Sequence, residues 1–392
     1  MNQNFTPTQL FNLLKKNELY KYGISKDDLL ASLKHTTDSI IDNTIQFNIF
    51  NKRDNFSVGT LEEKLVLRKL NDNILRIYKG HQANRKVIVS QISILLAESY
   101  PGFVIKTDLK SFFESIDRNR LLEKLHDNSI LSYYSLQLLK NIFSNPVMST
   151  INGLPRGINV SSTLSEIYMQ KFDKIIRRID GVYYYARYVD DIVIFINSER
   201  LVDNVKSSVI NYLEIGLELN EKKTQIYSLA RPDARKPLEF LGYKFTVKRI
   251  PRKPIELSIS IADKKIKRIK TRIVKSFLDY LLNGDFNLLE NRVKFLSGNF
   301  SIKSNKKGNI LKAGIYYNYS QVNDLSVLTD LNMFYHKLLN SKKTSLGVKI
   351  NASLTTVQKY RLSKYSFVHG YINKVYYKFR PETIVNIKRC WI

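Results

Sequence analysis

The stretch Val182–Ile196 reads VYYYARYVDDIVIFI and places two adjacent carboxylates between two runs of strand-forming residues. Tyr, Val, Ile and Phe favour strands, whereas Asp is typical of turns. The pattern predicts an antiparallel hairpin with Asp190 and Asp191 at its turn. A third strand is predicted at FVIKTD, residues 103–108, and it ends on Asp108. If these strands are neighbours in one sheet, we expect three carboxylates to converge.

Three carboxylates in one place repel each other and raise each other's proton affinities. Hard divalent cations relieve this repulsion, because Mg²⁺ prefers carboxylate oxygens and leaves room for substrate phosphates. Two such ions can activate a 3′-hydroxyl and stabilise a leaving pyrophosphate. A purely structural explanation stands beside this one, since Asp is common in turns and at strand ends.

The rest of the chain surrounds these strands with helices. Apolar residues at helical spacing predict helices at 61–79, 87–97 and 160–179, two helices within 118–144, and a helix at 199–213. Further short strands are predicted at 225–228 and 240–247. The centre of the chain is therefore expected to be an α+β sheet domain with its helices on one face. Pro251 and Pro254 mark a boundary, after which the chain is mainly helical.

The charge of the chain points to a polyanionic partner. Lys and Arg number 63 against 35 Asp and Glu, a net charge of +28 over 392 residues. Such an excess repels itself unless a polyanion shares the surface, and nucleic acid fits best. A generally basic protein or one that binds anionic lipid is the alternative. Residues 256–392 hold 25 Lys and Arg against 8 acidic residues.

The composition also limits the cellular location. We expect no signal segment and no bilayer-spanning run, hence no membrane partner. The single cysteine, Cys390, excludes an internal disulfide and a cysteine-rich zinc site. A cytoplasmic protein is therefore expected.

Five segments occur in the order and spacing of the palm motifs of reverse transcriptases, which this chain resembles over residues 61–250. They are VIKTDLKSFFESID (104–117), GLPRGINVSSTLSEIYM (153–169), YVDD (188–191), LNEKKT (219–224) and FLGYKF (240–245). YVDD between two β runs is the most specific of them. The middle segment is most similar to bacterial abortive-infection and defence-associated (anti-phage) reverse transcriptases.

This resemblance implies a right-hand polymerase of α+β class and a division of the chain into three regions. Residues 1–100 would form an N-terminal extension and the fingers. Residues 101–250 would form the palm with the catalytic carboxylates. Residues 251–392 would form a basic, helical thumb-like region.

The resemblance also implies the roles of the carboxylates. Asp108 and Asp190 would be the principal ligands of two Mg²⁺ ions, with Mn²⁺ as a substitute, and the backbone carbonyl of Leu109 would complete a site. Asp191 would be the third carboxylate, in either the inner or the outer coordination shell. Phe113 matches the aromatic position under the incoming sugar, where a bulky ring excludes a 2′-hydroxyl and selects dNTPs. Packing against Phe112 is its structural alternative.

Other matching positions would bind the nucleotide and the primer. Arg156 and Gly157 lie in a glycine turn beside the nascent base pair, where the family usually has Gln in place of Arg156. Arg can donate but not accept hydrogen bonds, so template use would differ. Arg85 and Lys86 fall in the region that grips the triphosphate.

Two further motifs complete the comparison. Lys223 matches the lysine that protonates the leaving pyrophosphate. The motifs can also be paired one residue earlier, at Lys222. The structural alternative is that Lys223 is an ordinary surface lysine. Leu241, Gly242 and Tyr243 match the primer grip.

The expected function is RNA-directed DNA polymerisation by nucleotidyl transfer, in anti-phage defence. Its partners would be an RNA template or a dedicated non-coding RNA, dNTPs and the DNA product, with a second defence protein or a second copy of the chain. Template-independent or protein-primed DNA synthesis is one alternative. A non-catalytic RNA-binding scaffold on a polymerase fold is the other.

Overall fold

The computed structural model describes residues 2–15, 18–78, 83–98, 102–128, 130–233, 235–250, 252–303 and 310–391. The chain forms two compact units. The first contains Met1–Ile88 and Tyr100–Arg231, and the second contains Val89–Ser99 and Pro232–Ile392. The division into regions 1–100, 101–250 and 251–392 stays a prediction, and Pro251 lies outside the described residues.

Helices and short sheets alternate along the described chain. The helices are α1 Pro7–Phe11, α2 Glu18–Tyr22, α3 Lys26–Ile41, α4 Leu61–Tyr78, α5 Arg85–Ala97, α6 Arg118–Asp127, α7 Tyr133–Phe143, α8 Asn159–Ile176, α9 Val202–Asn211, α10 Asp263–Asn283, α11 Phe286–Ser297, α12 Ser326–Asn340, α13 Ser345–Ser353, α14 Thr356–Ser363, α15 Phe367–Ile372 and α16 Pro381–Arg389. The strands are β1 Ile49–Lys52, β2 Asn55–Val58, β3 Phe103–Asp108, β4 Val182–Tyr188, β5 Asp191–Ile196, β6 Gln225–Ser228, β7 Leu238–Phe240, β8 Tyr243–Lys248, β9 Glu256–Ile261, β10 Asn299–Lys303, β11 Ile310–Gly314 and β12 Tyr376–Tyr377.

The central sheet of the first unit has the strand order β4-β5-β3-β6, and all its neighbours are antiparallel. The predicted hairpin is therefore β4–β5, and the strand at 103–108 lies directly beside β5. Successive side chains of a strand point to opposite faces. Ile192, Ile194 and Ile196 consequently share one face, where they join a continuous apolar core with Leu164 and Phe172 of α8. The α+β class predicted from the sequence is confirmed.

Three predicted boundaries were wrong. Helix α8 ends at Ile176 rather than Ile179, because the residues that follow turn with i to i+3 hydrogen bonds before Gly181. The strand expected at 240–247 is instead the hairpin β7–β8, because Leu241 and Gly242 both have positive φ. The helix expected at 199–213 starts with a 3₁₀ turn and ends at Asn211.

The second unit carries two three-stranded sheets, with the orders β7-β8-β9 and β11-β10-β12. The longest helix of this unit, α10, is amphipathic. Ile266, Ile273 and Phe277 are buried, whereas Lys267 and Arg268 are exposed. The expectation of a mainly helical and basic region holds, although the sequence did not predict strands β9–β12. Among the described residues, no helix is both long enough and apolar enough to cross a bilayer.

Candidate active site

The pairing of β3 with β5 brings two of the predicted carboxylates face to face. Asp108, the last residue of β3, lies opposite Asp191, the first residue of β5. Side chains directly opposite each other in antiparallel strands lie on one face, about 5 Å apart at Cβ. Asp190 precedes Asp191 in the tight turn, and its carbonyl accepts a hydrogen bond from the amide of Leu109.

The turn itself contains a strained residue. Val189 has φ of +60°, in the left-handed region. A residue with a Cβ pays roughly 1–2 kcal/mol there, and a β-branched side chain is a rare occupant. The surrounding structure must therefore hold Val189, and with it the peptide bond that leads to Asp190.

The acidity of the carboxyl groups reflects burial and mutual repulsion. Burial raises the pKa of Asp191 to about 6, and the charges of Asp190 and Asp108 add to this effect. The pKa of Asp190 is also raised, first by burial and then by Asp108. The three aspartates are therefore close enough to feel one another's charge, as the sequence predicted.

Lys223 supplies the cation that this acidic group attracts. Its Nζ lies 2.7 Å from Oδ2 of Asp108, and the hydrogen bond raises the pKa of Lys223 above its ordinary value. Its neighbour Lys222 lines a different surface depression, so the position matched in the sequence is the one that reaches the site. Within the described ranges, no three Asp, Glu, His or Cys side chains form a ready-made metal site.

The donors nevertheless fit a hard divalent cation. Asp190 and Asp191 hold their negative charges at a cost that a bound cation would remove. Leu109 and Leu219 form an isolated antiparallel β-bridge. In this bridge the amide of Asn220 donates to the carbonyl of Asp108, so the carbonyl of Leu109 is not used by the bridge. All these donors are oxygens, the ligand type that Mg²⁺ prefers.

A cleft of about 370 Å³ opens beside Asp108 and Asp190, and its walls include Phe113, Arg156 and Lys223. Phe112 and Phe113 both line this cleft. Phe112 is 3% exposed and belongs to the core, whereas Phe113 is half-buried and packs against the edge of that core. Their rings meet edge to face with centroids 5.4 Å apart.

The glycine turn at 153–157 is fixed against the backbone near Phe113. The amide of Leu154 donates to the carbonyl of Phe113 at 2.7 Å. Gly153 has φ of +67°, and a Cβ there would collide with that same carbonyl, so only glycine fits. Arg156 projects from this turn and pairs with Glu114 through Nε at 2.6 Å and Nη2 at 3.1 Å.

The Arg156–Glu114 pair shifts the pKa of both side chains. The hydrogen bond to Glu114 raises the pKa of Arg156. Burial by itself would raise the pKa of Glu114, but the bond to Arg156 brings it below its ordinary value. The side chains of Arg156 and Glu114 are 57% and 43% exposed, so the guanidinium is held in place while it stays open to solvent.

Three predicted site residues are not among the residues that line this cleft. Arg85 and Lys86 are the first residues of α5, and a Cβ at Gly157 would collide with the side chain of Asn55 on β2. These three residues are absent from the described wall of the cleft. Their nucleotide-binding roles stay predictions.

The predicted primer grip lies in the second unit as the turn between β7 and β8. Gly242 has φ of +82° and Leu241 has φ of +47°. Tyr243 is 3% exposed and donates through its hydroxyl to the carbonyl of Asn318. A contact with a primer would therefore come from Leu241 and Gly242, at the tip, rather than from the ring of Tyr243.

The sequence reasoning missed two features of the site. The hairpin β1–β2 contacts the glycine turn, because the amide of Phe56 donates to the carbonyl of Arg156 at 2.7 Å, and Asp54 raises the pKa of Arg156 by its charge. The only sequence feature that could have predicted this hairpin is the short alternation of apolar and polar residues on either side of Asp54. Arg187 was also missed, although it stands three residues before Asp190.

The chain shares limited similarity with proteins of known structure. It resembles telomerase from Candida tropicalis truncated from its C-terminal domain, with 14% identity and a TM-score of 0.37 over 62% of this chain and 50% of that one. It also resembles telomerase from Candida albicans in complex with the TWJ fragment of telomeric RNA, with 12% identity and a TM-score of 0.37 over 96% of this chain and 57% of that one.

The sequence comparisons are more specific. The chain is 28% identical over 131 residues to Protein P of hepatitis B virus genotype E subtype ayw4, isolate Kou, covering 31% of this chain and 15% of that protein. It is 24% identical over 136 residues to Protein P of chimpanzee hepatitis B virus, covering 34% and 15%. The chain thus spans about 15% of the length of these curated relatives.

Residues 50–245 match the profile of the family described as reverse transcriptase (RNA-dependent DNA polymerase). The matched region contains the paired strands that bear Asp108 and Asp191, the turn that bears Asp190, and the cleft wall with Phe113 and Arg156. The chain belongs to the reverse transcriptase family, as its motifs predicted.

Proposed function

We propose that this chain is an RNA-templated DNA polymerase that extends a 3′-hydroxyl with dNTPs by two-metal-ion nucleotidyl transfer. The observation that carries the proposal is the register of β3 and β5. It places Asp108 opposite Asp191 beside a cleft open to solvent. The pKa values of Asp190 and Asp191 are both raised beside this cleft, which is typical of a functional site rather than of a structural ion pair.

Asp108, Asp190, Asp191 and the Leu109 carbonyl would hold the ions, with Mg²⁺ as the natural metal and Mn²⁺ as a substitute. Bound there, two divalent ions supply activation of the primer hydroxyl and neutralisation of the leaving pyrophosphate. Raised pKa values favour this role, because deprotonated carboxylates that repel one another gain most from a cation.

Lys223 and Phe113 would act directly on the nucleotide. Lys223 is protonated beside Asp108 and is 58% exposed, so it can turn from the carboxylate to the leaving pyrophosphate and donate a proton there. Phe113 presents its ring to the cleft and would exclude a 2′-hydroxyl by its bulk.

The partners follow from the charge and from the family. An RNA template or dedicated non-coding RNA and the DNA product would bind the basic surface, since the net charge is +28. A role in anti-phage defence in the cytoplasm, with a second defence protein or a second copy of the chain, is the further part of the proposal. Its support is the resemblance of residues 153–169 to defence-associated reverse transcriptases.

The test is incorporation of labelled dNTPs with Mg²⁺ on a primed RNA template, compared with the variant Asp190→Asn/Asp191→Asn. We expect template-dependent extension by the wild type and none by the variant, which should keep its fold because it loses only mutually repelling charges. Product that needs no template, or that stays attached to the protein, would favour template-independent or protein-primed synthesis. No product on any substrate would favour a non-catalytic scaffold.

The defence role has its own test. Cells that carry the gene are challenged with a panel of phages, and the RNA and DNA that copurify with the protein are sequenced. Protection that the Asp190→Asn/Asp191→Asn variant loses would support the proposal. Equal phage titres with wild type and variant across the panel would refute it.

A further inference from the structure

Arg187, on strand β4, is the buried centre of a polar cluster behind the YVDD turn. Its side chain is only 3% exposed. Nε and Nη2 donate to Asp173 at 2.9 and 2.8 Å. Nη1 and Nη2 donate to Glu166 at 3.2 and 2.7 Å. Both carboxylates lie on α8, so this contact joins the catalytic hairpin to the helix packed beneath it.

The fifth N–H of the guanidinium reaches the turn itself. Nη1 donates to the carbonyl oxygen of Val189 at 2.9 Å. That carbonyl belongs to the peptide bond between Val189 and Asp190. Since Val189 is in the left-handed region, this hydrogen bond holds a strained residue in place and orients the peptide from which the Asp190 carboxylate projects.

The geometry requires arginine in particular. A guanidinium has five N–H donors in a rigid plane, and all five are used by Asp173, Glu166 and Val189. Tyr185 donates its hydroxyl to Oδ1 of Asp173 at 2.6 Å and steadies that partner. Lysine would keep the positive charge, but its compact ammonium cannot span two carboxylates and a backbone carbonyl at once.

We propose that Arg187 is a positioning residue of the polymerase site, which anchors the Val189–Asp190 peptide to α8 and so sets the direction of the Asp190 carboxylate toward the metal ions. The proposal rests on the proposed function for the role of those ions. Residues that orient metal ligands from outside the coordination sphere change metal affinity or activity by about 10–100-fold when they are substituted.

A simpler role is that Arg187 only neutralises Glu166 and Asp173 within the fold. Under that role, any cation that keeps the fold would keep the metal site. The contact with the Val189 carbonyl separates the two roles, because it adds nothing to the neutralisation of the carboxylates.

The primary experiment compares the wild type with Arg187→Lys in the full chain. Mn²⁺ affinity is measured by electron paramagnetic resonance without nucleotide, together with thermal unfolding and steady-state dNTP incorporation. We expect cooperative unfolding, a Mn²⁺ affinity about 10–100-fold weaker, and a comparable fall in kcat with little change in KM for primer–template. Unchanged Mn²⁺ affinity in a folded Arg187→Lys variant would overturn the proposal.

The matched control is Arg292→Lys in the second unit. Arg292 is also a buried arginine, 2% exposed, paired with an aspartate, Asp279, at 2.5 Å. This variant should leave Mn²⁺ affinity and kcat unchanged. An equal loss in both variants would show a general effect of replacing a buried arginine and would overturn the assignment of Arg187.

A double-mutant cycle with Val189→Gly tests the route through the turn. Glycine adopts positive φ without steric cost, so the turn then needs less support. We expect Arg187→Lys to weaken Mn²⁺ binding several-fold less in the Val189→Gly background than in the wild type. Effects that simply add would show that Arg187 does not act through this peptide.

A second variant keeps the proposal testable if Arg187→Lys does not fold. Glu166→Gln weakens the hydrogen bonds that Glu166 accepts from the guanidinium of Arg187. Arg187 keeps Asp173 as one charged partner, so no buried charge is left uncompensated. We expect Mn²⁺ affinity to fall in the same direction, and an unchanged affinity would again overturn the proposal. Wild-type protein that binds Mn²⁺ but incorporates no dNTP would count against the proposed function alone.

Discussion

The ammonium group of Lys223 lies 2.7 Å from Oδ2 of Asp108, so a cation of the chain itself occupies one of the carboxylates assigned to the metal ions. Asp108 is 8% exposed and Lys223 is 58% exposed. The carboxylate is therefore fixed, whereas the lysine can leave toward solvent or toward a nucleotide. Metal binding and release of Lys223 should be linked.

Replacing Lys223 by glutamine should separate metal binding from chemistry. Without the competing ammonium, Mn²⁺ should bind at least as tightly as in the wild type. The loss of a proton donor should lower kcat for dNTP incorporation by about 10²–10⁴-fold. The neighbouring variant Lys222→Gln serves as the control and should behave like the wild type. Normal turnover by Lys223→Gln would contradict the proton-donor role.

The pH dependence of stability should reveal the raised pKa of Asp191. Its pKa is about 6 in the folded chain against 3.8 for an ordinary aspartate, so the folded state binds the proton more tightly than the unfolded state. Through this group, the metal-free protein is least stable above pH 6 and regains stability as the pH falls toward 4. Asp191→Asn should stabilise it at pH 7.5 by roughly 1–3 kcal/mol.

Thermal unfolding of Asp191→Asn and wild type between pH 4 and 8, without metal, measures this effect. The difference should shrink to nothing near pH 4. Asp190→Asn should act in the same direction, because its pKa is also raised. Stabilisation of the wild type by Mg²⁺ should in turn be lost below pH 6. If Asp191→Asn destabilised the protein at pH 7.5, the buried charge of Asp191 would not be a cost to the metal-free fold, and this explanation would be wrong.

Shrinking Phe113 should relax sugar selection. Phe113→Ala is expected to raise the ratio of rNTP to dNTP catalytic efficiency, since the ring acts by excluding a 2′-hydroxyl. Single-nucleotide incorporation with matched rNTP and dNTP pairs measures the ratio. Phe172→Leu is the control and should lower stability without changing the ratio, because Phe172 is a core residue that does not line the cleft. An unchanged ratio in Phe113→Ala would make its ring a packing element only.

The Arg156–Glu114 pair should matter for template use and little for stability. Both side chains are about half exposed, so breaking the pair should change the free energy of unfolding by less than about 1 kcal/mol. Arg156→Gln should keep extension on a generic primer–template and impair it on the native template. Glu114→Gln should impair the native template too, yet add nothing to Arg156→Gln if its role is to hold the guanidinium. Additive losses would separate the two residues.

The basic face of α10 should contribute to nucleic-acid binding. Lys264, Lys267 and Arg268 are exposed on this helix. Replacing all three by glutamine should reduce the slope of log affinity for structured RNA against log salt by up to about 3. The control removes three exposed lysines from the N-terminal region, Lys21, Lys26 and Lys34, and should reduce the slope less. Equal reductions would indicate diffuse charge rather than a binding surface on α10.

The sequence by itself determined the class of the fold and indicated the candidate site residues. Strand-forming runs on both sides of Asp190 and Asp191 specify a hairpin, because alternation and turn chemistry act over neighbouring residues. The order of the motifs likewise identified Asp108 and Lys223. Strand patterns, turn residues and the order of motifs along the chain can all be recognised without knowing which distant segments pack together.

Only the tertiary structure decided which of these groups meet. The register of β3 on β5 pairs Asp108 with Asp191 across 83 residues of chain, and a shift by one residue would turn one carboxylate to the opposite face. The sequence likewise could not show that Arg156 pairs with Glu114, or that Arg187 binds Glu166, Asp173 and the Val189 carbonyl at once. An arginine's partners depend on packing between distant elements, which no local pattern encodes.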